Sequence, residues 1–227
     1  MSHADPSISW PQVSKFIGQL NHDLRNHLNA IELQSAFLEE IAEEGEVKEE
    51  VKRLRGMTGE ISAHLQRLSA LLAKVELQPM RYTATDFVED LQAKVAAQHP
   101  AEAEAIEWET SLGEEALEID PQLLLEAFAE LFANAFAHGR GEGAVIFSAR
   151  AEGPSLVFAL REPKKEAPAG MENWGELPLA RLRHGHYALG LFRARTIFES
   201  HHGTMLAKFD PATSQLTTTV TLPCARA

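Results

Sequence analysis

The side chains best suited to chemistry lie together near the N-terminus, in the segment Asn21-His22-Asp23-Leu24-Arg25-Asn26-His27. His22 lies off the apolar stripe of a predicted helix, so its imidazole is expected to face solvent. Asp23 follows about 100° around the helix, and Asn26 lies one turn later on the same face as His22. A neutral imidazole with one nitrogen held by a carboxylate is a nucleophile at neutral pH. An exposed histidine on a charged helix face can also be without function, and the context has to decide.

Two long amphipathic helices are predicted to position this segment. Apolar residues recur every three or four positions over 10–44, and again from Val47 to about Val75. Gly45 separates the two patterns, which together predict an antiparallel helical hairpin. Because a hairpin cannot cover both apolar faces alone, we expect two copies to pair as a four-helix bundle. The alternative is that the stripe packs against the chain's own C-terminal half.

Beyond a break at Pro79, helical and strand patterns alternate along the chain. Predicted helices lie at about 85–98, 121–137 and 189–201, with Thr85 or Asp86 capping the first and Asp120 the second. The predicted strands are Ile106–Trp108, Leu117–Ile119, Ala144–Ala149, Ser155–Leu160, Met205–Phe209 and Leu216–Leu222. The stretch Glu162–Gly185 is predicted as a long loop, and the glycine-rich segment 139–143 as a flexible connector.

These patterns predict an α+β protein, with a helical hairpin followed by an α/β sandwich. We expect a flexible tail over residues 1–9, the hairpin over 10–76 and the α/β domain over 77–227.

The composition limits the kinds of partner that the protein is expected to bind. The 227 residues include 33 acidic and 21 basic side chains, giving a formal net charge of −12. That balance argues against binding to nucleic acid or to an anionic membrane surface. The single cysteine, Cys224, excludes an internal disulfide framework and fits a reducing compartment. No apolar run approaches the length of a membrane span, and no signal pattern precedes Pro11, so we expect a cytoplasmic protein.

The segment around His22 resembles the phosphoacceptor box of bacterial sensor histidine kinases, which reads His-(Glu/Asp)-x-x-(Asn/Thr)-Pro. His22, Asp23 and Asn26 match, and His27 stands at the usual proline position. The resemblance implies that His22 is phosphorylated on a ring nitrogen and that Asp23 assists proton transfer. It also implies that Asn26 positions water for dephosphorylating an aspartate in the receiver domain of a response regulator. Without the proline, the helix is expected to continue straight.

The second half resembles the ATP-binding domain of the same kinases, the GHKL fold. The segments 120–124 and 130–138 are similar to the N-box helix, in which Asn134 would bind Mg²⁺ and Glu130 holds a position where an acid or amide is usual. The segment 185–191 is similar to the second glycine box, with Gly185 and Gly190 retained. The resemblance runs in family order from about residue 14 to residue 222 and implies Mg-ATP as a cofactor.

The departures fall in the nucleotide boxes. The family's Asp-x-Gly-x-Gly, whose aspartate recognises the adenine amino group, reads Glu162-Pro163-Lys164-Lys165-Glu166 here. Glu162 is one methylene longer than the expected aspartate, and both glycines are replaced. Ala188 and His186 replace glycines of the second box, and Ala137 stands where a phosphate-binding lysine is usual. These changes predict an eroded nucleotide site that could still bind ATP weakly through a helix N-terminus.

Three functions remain open. A histidine phosphotransferase would exchange phosphate between His22 and a receiver aspartate, with an upstream kinase as the ultimate source. A histidine kinase would phosphorylate His22 from Mg-ATP. A dimeric adaptor would bind a regulator or a kinase without chemistry at His22.

Overall fold

The computed structural model describes residues 9–42, 45–137, 139–168, 171, 174–176 and 189–225. The chain divides after Lys74 into two compact units. Val75 already packs against the core of the second unit, which is why this division comes two residues earlier than the expected one.

The first unit is a helical hairpin of α1 (Trp10–Ile41) and α2 (Glu46–Leu72). The backbone N–H of Ser9, the N-cap of α1, donates to Gln12 Oε1 at 3.0 Å, which satisfies one end of a capping box. The helix continues without interruption through His27, as expected when no proline removes a backbone donor.

The two helices meet along a narrow seam with a seven-residue repeat. Asn21, Leu28 and Ser35 are the buried residues of α1, and Val51 and Thr58 are buried on α2. The predicted apolar stripe is therefore only partly covered within one chain. Large side chains of the hairpin that remain exposed are Phe16, Leu20, Leu24, Ile31, Leu33, Phe37, Leu38, Ile41, Val47, Leu54, Met57 and Ile61.

In the described residues of the second unit, two sheets combine with four helices. In chain order its elements are β1 (Met80–Thr83), α3 (Ala84–Gln98), α4 (Pro100–Ala103), β2 (Ile106–Ser111), β3 (Ala116–Ile119), α5 (Pro121–Ala137), β4 (Val145–Glu152), β5 (Ser155–Pro163), α6 (Leu189–Ser200), β6 (Thr204–Asp210) and β7 (Gln215–Pro223). The larger sheet has the strand order β2-β4-β5-β7-β6, and only the β2–β4 pair is parallel. Strands β1 and β3 form a separate antiparallel ribbon.

Helices α3, α5 and α6 contribute to one core with the larger sheet. Phe128 of α5 lies at its centre, with ring centroids of Phe158 and Phe198 at 5.2 and 5.0 Å. Phe87 and Phe147 pack on the same ring at 5.6 and 5.9 Å. Fully buried aromatic rings of this kind stabilise a core through their area and their edge-to-face contacts.

Two sequence predictions need correction, and two elements were not predicted. Helix α3 begins at Ala84, because the side chain of Thr83 caps it by accepting from the Asp86 N–H at 3.1 Å. Strand β1 and the short helix α4 were not predicted. Strand β5 continues to Pro163, so Glu162 lies in a strand and not in the predicted loop. The reason is tertiary, since β7 supplies a paired partner for Glu162 at Leu216.

The predicted cap of α5 is confirmed. Asp120 Oδ1 accepts from the Leu123 N–H at 3.1 Å, and Pro121 is the first helical residue. In the part of the chain that the structure describes, no helix is long and apolar enough to cross a membrane.

Candidate functional site

Helix α1 presents His22 to solvent, with 70% of its side chain exposed. The ring nitrogen Nδ1 lies 3.4 Å from Asp23 Oδ1 and 3.4 Å from Asn26 Nδ2. Both contacts are long for hydrogen bonds. The structure thus brings together all three residues that the sequence singled out.

The two nitrogens of the ring have different surroundings. A carboxylate only accepts hydrogen bonds, so a contact with Asp23 is favourable when the proton of the neutral ring is on Nδ1. Asn26 joins this arrangement with its amide turned so that Oδ1 faces Nδ1, because Nδ2 can only donate. That tautomer leaves the lone pair on Nε2, which has no hydrogen-bond partner among the described residues. The arrangement can therefore present a nucleophilic nitrogen to a partner that approaches α1 from solvent.

A fourth residue supports the arrangement and was not predicted. Gln19 Nε2 donates to Asp23 Oδ1 at 3.0 Å. Gln19 precedes Asp23 by four residues, and that spacing places the two side chains on one helix face. The i, i+4 relation was therefore available in the sequence.

Asn21, the residue before His22, anchors α1 to α2 across the seam. Its Nδ2 donates to the Leu65 carbonyl oxygen at 2.6 Å and to Ser69 Oγ at 2.5 Å. The amide nitrogen must face α2, because the Leu65 carbonyl can only accept. A polar residue in an apolar seam fixes the register of the helices at some loss of stability.

Two predicted nucleotide-site residues of the second unit, Glu130 and Gly190, lie against each other. Glu130 and Asn134 lie one turn apart on α5, and both are half-buried. Gly190 lies in the first turn of α6, and a Cβ atom at that position would overlap the carboxyl group of Glu130. Gly185 lies outside the described residues.

Glu162, the residue at the adenine-recognition position, is bound within the chain. Only 2% of its side chain is exposed, and its Oε2 lies 2.6 Å from Nζ of Lys164, which is 3% exposed. Burial raises the pKa of the Glu162 carboxyl above its ordinary value, although the hydrogen bond and the charge of Lys164 act to lower it. In the sequence, only the spacing of the two residues indicates this pairing.

The segment after β5 is hydrogen-bonded on both sides. The predicted flexible connector 139–143 lies along it, with the Gly141 N–H donating to the Pro163 carbonyl at 2.8 Å and the Lys165 N–H to Gly139 at 3.1 Å. On the other side the Lys164 N–H donates to the Ser214 carbonyl at 2.9 Å. The connector between α5 and β4 therefore makes defined backbone hydrogen bonds to this segment.

These residues do not fit Mg-ATP in the manner that the resemblance implies. The Glu162 carboxylate already has a cation as its partner, and the backbone beside it has no open turn. Asn134 is present to offer Mg²⁺ an amide oxygen beside the phosphates, so the misfit lies at the adenine end.

Comparison with known proteins identifies the architecture. The structure is similar to full-length ShkA in complex with AMPPNP, with a TM-score of 0.70 and 18% identity over 94% of this chain. The match spans 46% of the ShkA chain, so this chain covers about half its length. The Acinetobacter baumannii histidine kinase AdeS aligns over 90% of this chain and 98% of its own, with a TM-score of 0.52 and 14% identity.

The second unit also has its own counterparts. The catalytic domain of histidine kinase ThkA aligns over 66% of this chain and 96% of its own, with a TM-score of 0.52 and 15% identity. No family model and no curated protein matches the sequence. The chain therefore has the fold of a histidine kinase core, a helical region followed by an α/β domain of the ATPase type.

Proposed function

We propose that the protein is a histidine phosphotransferase of two-component signalling. His22 receives a phosphoryl group from an aspartate of one response-regulator receiver domain and passes it to another. The observation that carries the proposal is the geometry of the His22 ring, with Nδ1 beside Asp23 and Nε2 facing solvent.

The transfer needs no reactant besides the two proteins. The Nε2 lone pair attacks the phosphorus of the aspartyl phosphate, an N–P bond forms, and the P–O bond to the aspartate breaks. The aspartate leaves as a carboxylate with the electron pair of that bond. The phosphorylated ring then carries a positive charge with its proton on Nδ1, where the Asp23 carboxylate stabilises it. The return transfer reverses each step.

Asp23 and Asn26 act on the same ring nitrogen in different ways. Asp23 favours the reactive tautomer and stabilises the charged product. Asn26 contributes a neutral amide at the same distance, and as the resemblance implies it positions water for hydrolysis of the partner's aspartyl phosphate.

The phosphotransferase is favoured over a kinase because Glu162 is already paired with Lys164 in a buried position. The active kinase remains the second candidate, because the similar protein ShkA was determined with AMPPNP. The third candidate, an adaptor without chemistry, predicts that the biological output survives the loss of His22.

The protein acts as a homodimer. The exposed apolar side chains of the hairpin, Leu24 and Ile31 among them, form a surface that a second copy would cover in a four-helix bundle. Light scattering should give a mass near twice 25.1 kDa. A monomer at micromolar concentration would contradict the bundle. The single cysteine and the acidic composition support a cytoplasmic setting without a nucleic-acid or membrane partner.

The test separates the two sources of phosphate. Purified protein is incubated with a ³²P-phosphorylated receiver domain, or with γ-labelled ATP and Mg²⁺, and label that is stable to base and labile to acid is counted. We expect label from the receiver only, abolished in His22→Ala and retained in His27→Ala, which changes an exposed neighbour on the same helix. Label from ATP in the wild type would make the protein a kinase. Label from neither source, from a folded dimer, would leave the adaptor.

A further inference from the structure

We infer that the chain closes the adenine end of its own nucleotide site with Lys164. Lys164 occupies the end that the resemblance assigns to adenine by pairing with Glu162. The inference rests on the proposed function, because it explains how this fold can exchange phosphate without using ATP.

The adenine end is closed by the Glu162–Lys164 ion pair. The ammonium lies 2.6 Å from the carboxylate, and both side chains are almost wholly buried. A carboxylate that recognises an exocyclic amino group must be open to accept from it. Here the ammonium neutralises that carboxylate. Removing a buried lysine from its partner would leave an uncompensated charge, so a base cannot displace it without a large penalty.

The backbone around the pair reinforces the closure. Gly141 lies so close to the segment after β5 that a Cβ atom would come within 3.2 Å of backbone atoms of Pro163 and Lys164. Gly139 adopts a φ of +60° and Gly143 a φ of +124°, values that favour glycine and let the connector follow this segment. The three glycines thus hold the connector against the segment instead of cradling a phosphate.

The inference predicts a gain of function. Shortening the carboxylate and removing the ammonium in the double variant Glu162→Asp/Lys164→Gly should open the adenine end. Lys165→Gly is the matched control, because it removes one lysine charge and adds one glycine at an exposed neighbour without releasing Glu162.

The experiment is calorimetric titration of each full-length protein with MgATP. We expect no measurable binding at millimolar MgATP for the wild type and for Lys165→Gly. For the double variant we expect measurable binding, with a dissociation constant at least about tenfold below the highest MgATP concentration at which the wild type shows none. Micromolar binding by the wild type would overturn the inference. So would a double variant that has the wild-type circular dichroism spectrum and binds no better than the wild type.

A second measurement covers the case in which the double variant does not fold. Acylation of lysines in the wild type, read by mass spectrometry, should modify Lys164 far more slowly than Lys165, and adding MgATP should not change the rate at Lys164. Faster modification of Lys164 with MgATP would show that nucleotide displaces it and would overturn the inference. Transfer from a phosphorylated receiver is assayed on the same samples, so a failure of the proposed function would show separately.

Discussion

The candidate site residues of the hairpin are exposed to solvent, whereas the described ones of the α/β domain are buried or half-buried. On the hairpin, His22 faces solvent with its polar neighbours around one ring nitrogen. In the α/β domain, Glu162 is buried in an ion pair, and Glu130 fills the space beside Gly190. The His22 ring is therefore accessible in the first unit, whereas Glu162 and Glu130 of the second unit are in contact with other parts of the chain.

The two regions also differ in how their interiors are packed. The α/β domain has a closed core of aromatic rings around Phe128, and the hairpin buries one narrow seam that includes polar residues such as Asn21 and Ser35. A fold can thus keep a dense core while its ligand site changes, because the core and the site use different residues. In the proposed function, the reactive histidine lies on a solvent-exposed face of the hairpin, so phosphoryl transfer needs a partner protein.

The largest expected effect tests the core. Phe128→Ala should lower the free energy of unfolding of the α/β domain by about 4 kcal/mol, because it leaves a cavity among four aromatic rings. Denaturant unfolding followed by tryptophan fluorescence measures the loss. Leu206→Ala, at a residue of the same domain that is 68% exposed, should change stability by less than about 0.5 kcal/mol. Equal losses in the two variants would mean that Phe128 does not lie in a closed core.

The next effect concerns the buried ion pair and depends on pH. Lys164→Met should lower the free energy of unfolding by about 3 kcal/mol near neutral pH, since it leaves the Glu162 carboxylate buried without a partner. Burial already raises the pKa of Glu162, and without Lys164 it should rise further.

The stability of the Lys164→Met variant should depend on pH. In this variant the folded state binds the Glu162 proton more tightly than the unfolded chain does. The stability gained from that protonation is therefore present at low pH and is lost as the pH rises through the folded-state pKa of Glu162. Lys164→Met should therefore be closer to the wild type in unfolding at about pH 5 than at about pH 8. A loss that is independent of pH, or greatest in acid, would contradict the buried pair. Lys165→Met is the control at an exposed position.

A smaller effect tests the ring geometry at His22. Asp23→Asn should slow phosphoryl transfer about tenfold, since it removes the negative charge beside Nδ1 and leaves Nε2 in place. Rapid-quench kinetics with a phosphorylated receiver domain measures the rate. Asp86→Asn changes a carboxylate of the other unit and should leave the rate unchanged. An undiminished rate in Asp23→Asn would mean that Asp23 does not act on the ring.

The smallest effect tests the seam beneath His22. Ser69→Ala should lower the free energy of unfolding of the hairpin by about 1 kcal/mol, because it removes one of the two acceptors of Asn21 Nδ2. Thermal unfolding of the variant and the wild type measures the difference. Ser62 lies seven residues earlier on α2 and makes no hydrogen bond through its side chain among the described residues. Ser62→Ala should therefore have less effect, and an equal effect would argue against the Asn21 contact.

Local patterns determined much of this protein. Helical spacing predicted both hairpin helices, because a long amphipathic segment without an internal proline has few alternatives to a helix. The His22, Asp23 and Asn26 arrangement was also predictable, since residues on one turn of one helix meet wherever that helix is placed. The Asp120 cap followed from the same kind of local rule.

Tertiary structure alone decided the remainder. Strand β5 extends to Pro163 because β7 pairs with it, and a proline-lysine stretch gives no local signal for that extension. The contact between Glu130 and Gly190 joins residues far apart in sequence. Glu162 and Lys164 are close in sequence, but their burial depends on segments at 139–141 and 214 that only the folded chain brings beside them. A sequence shows which groups can react, whereas the fold decides which of them remain accessible, because burial and ion pairing depend on neighbours distant along the chain.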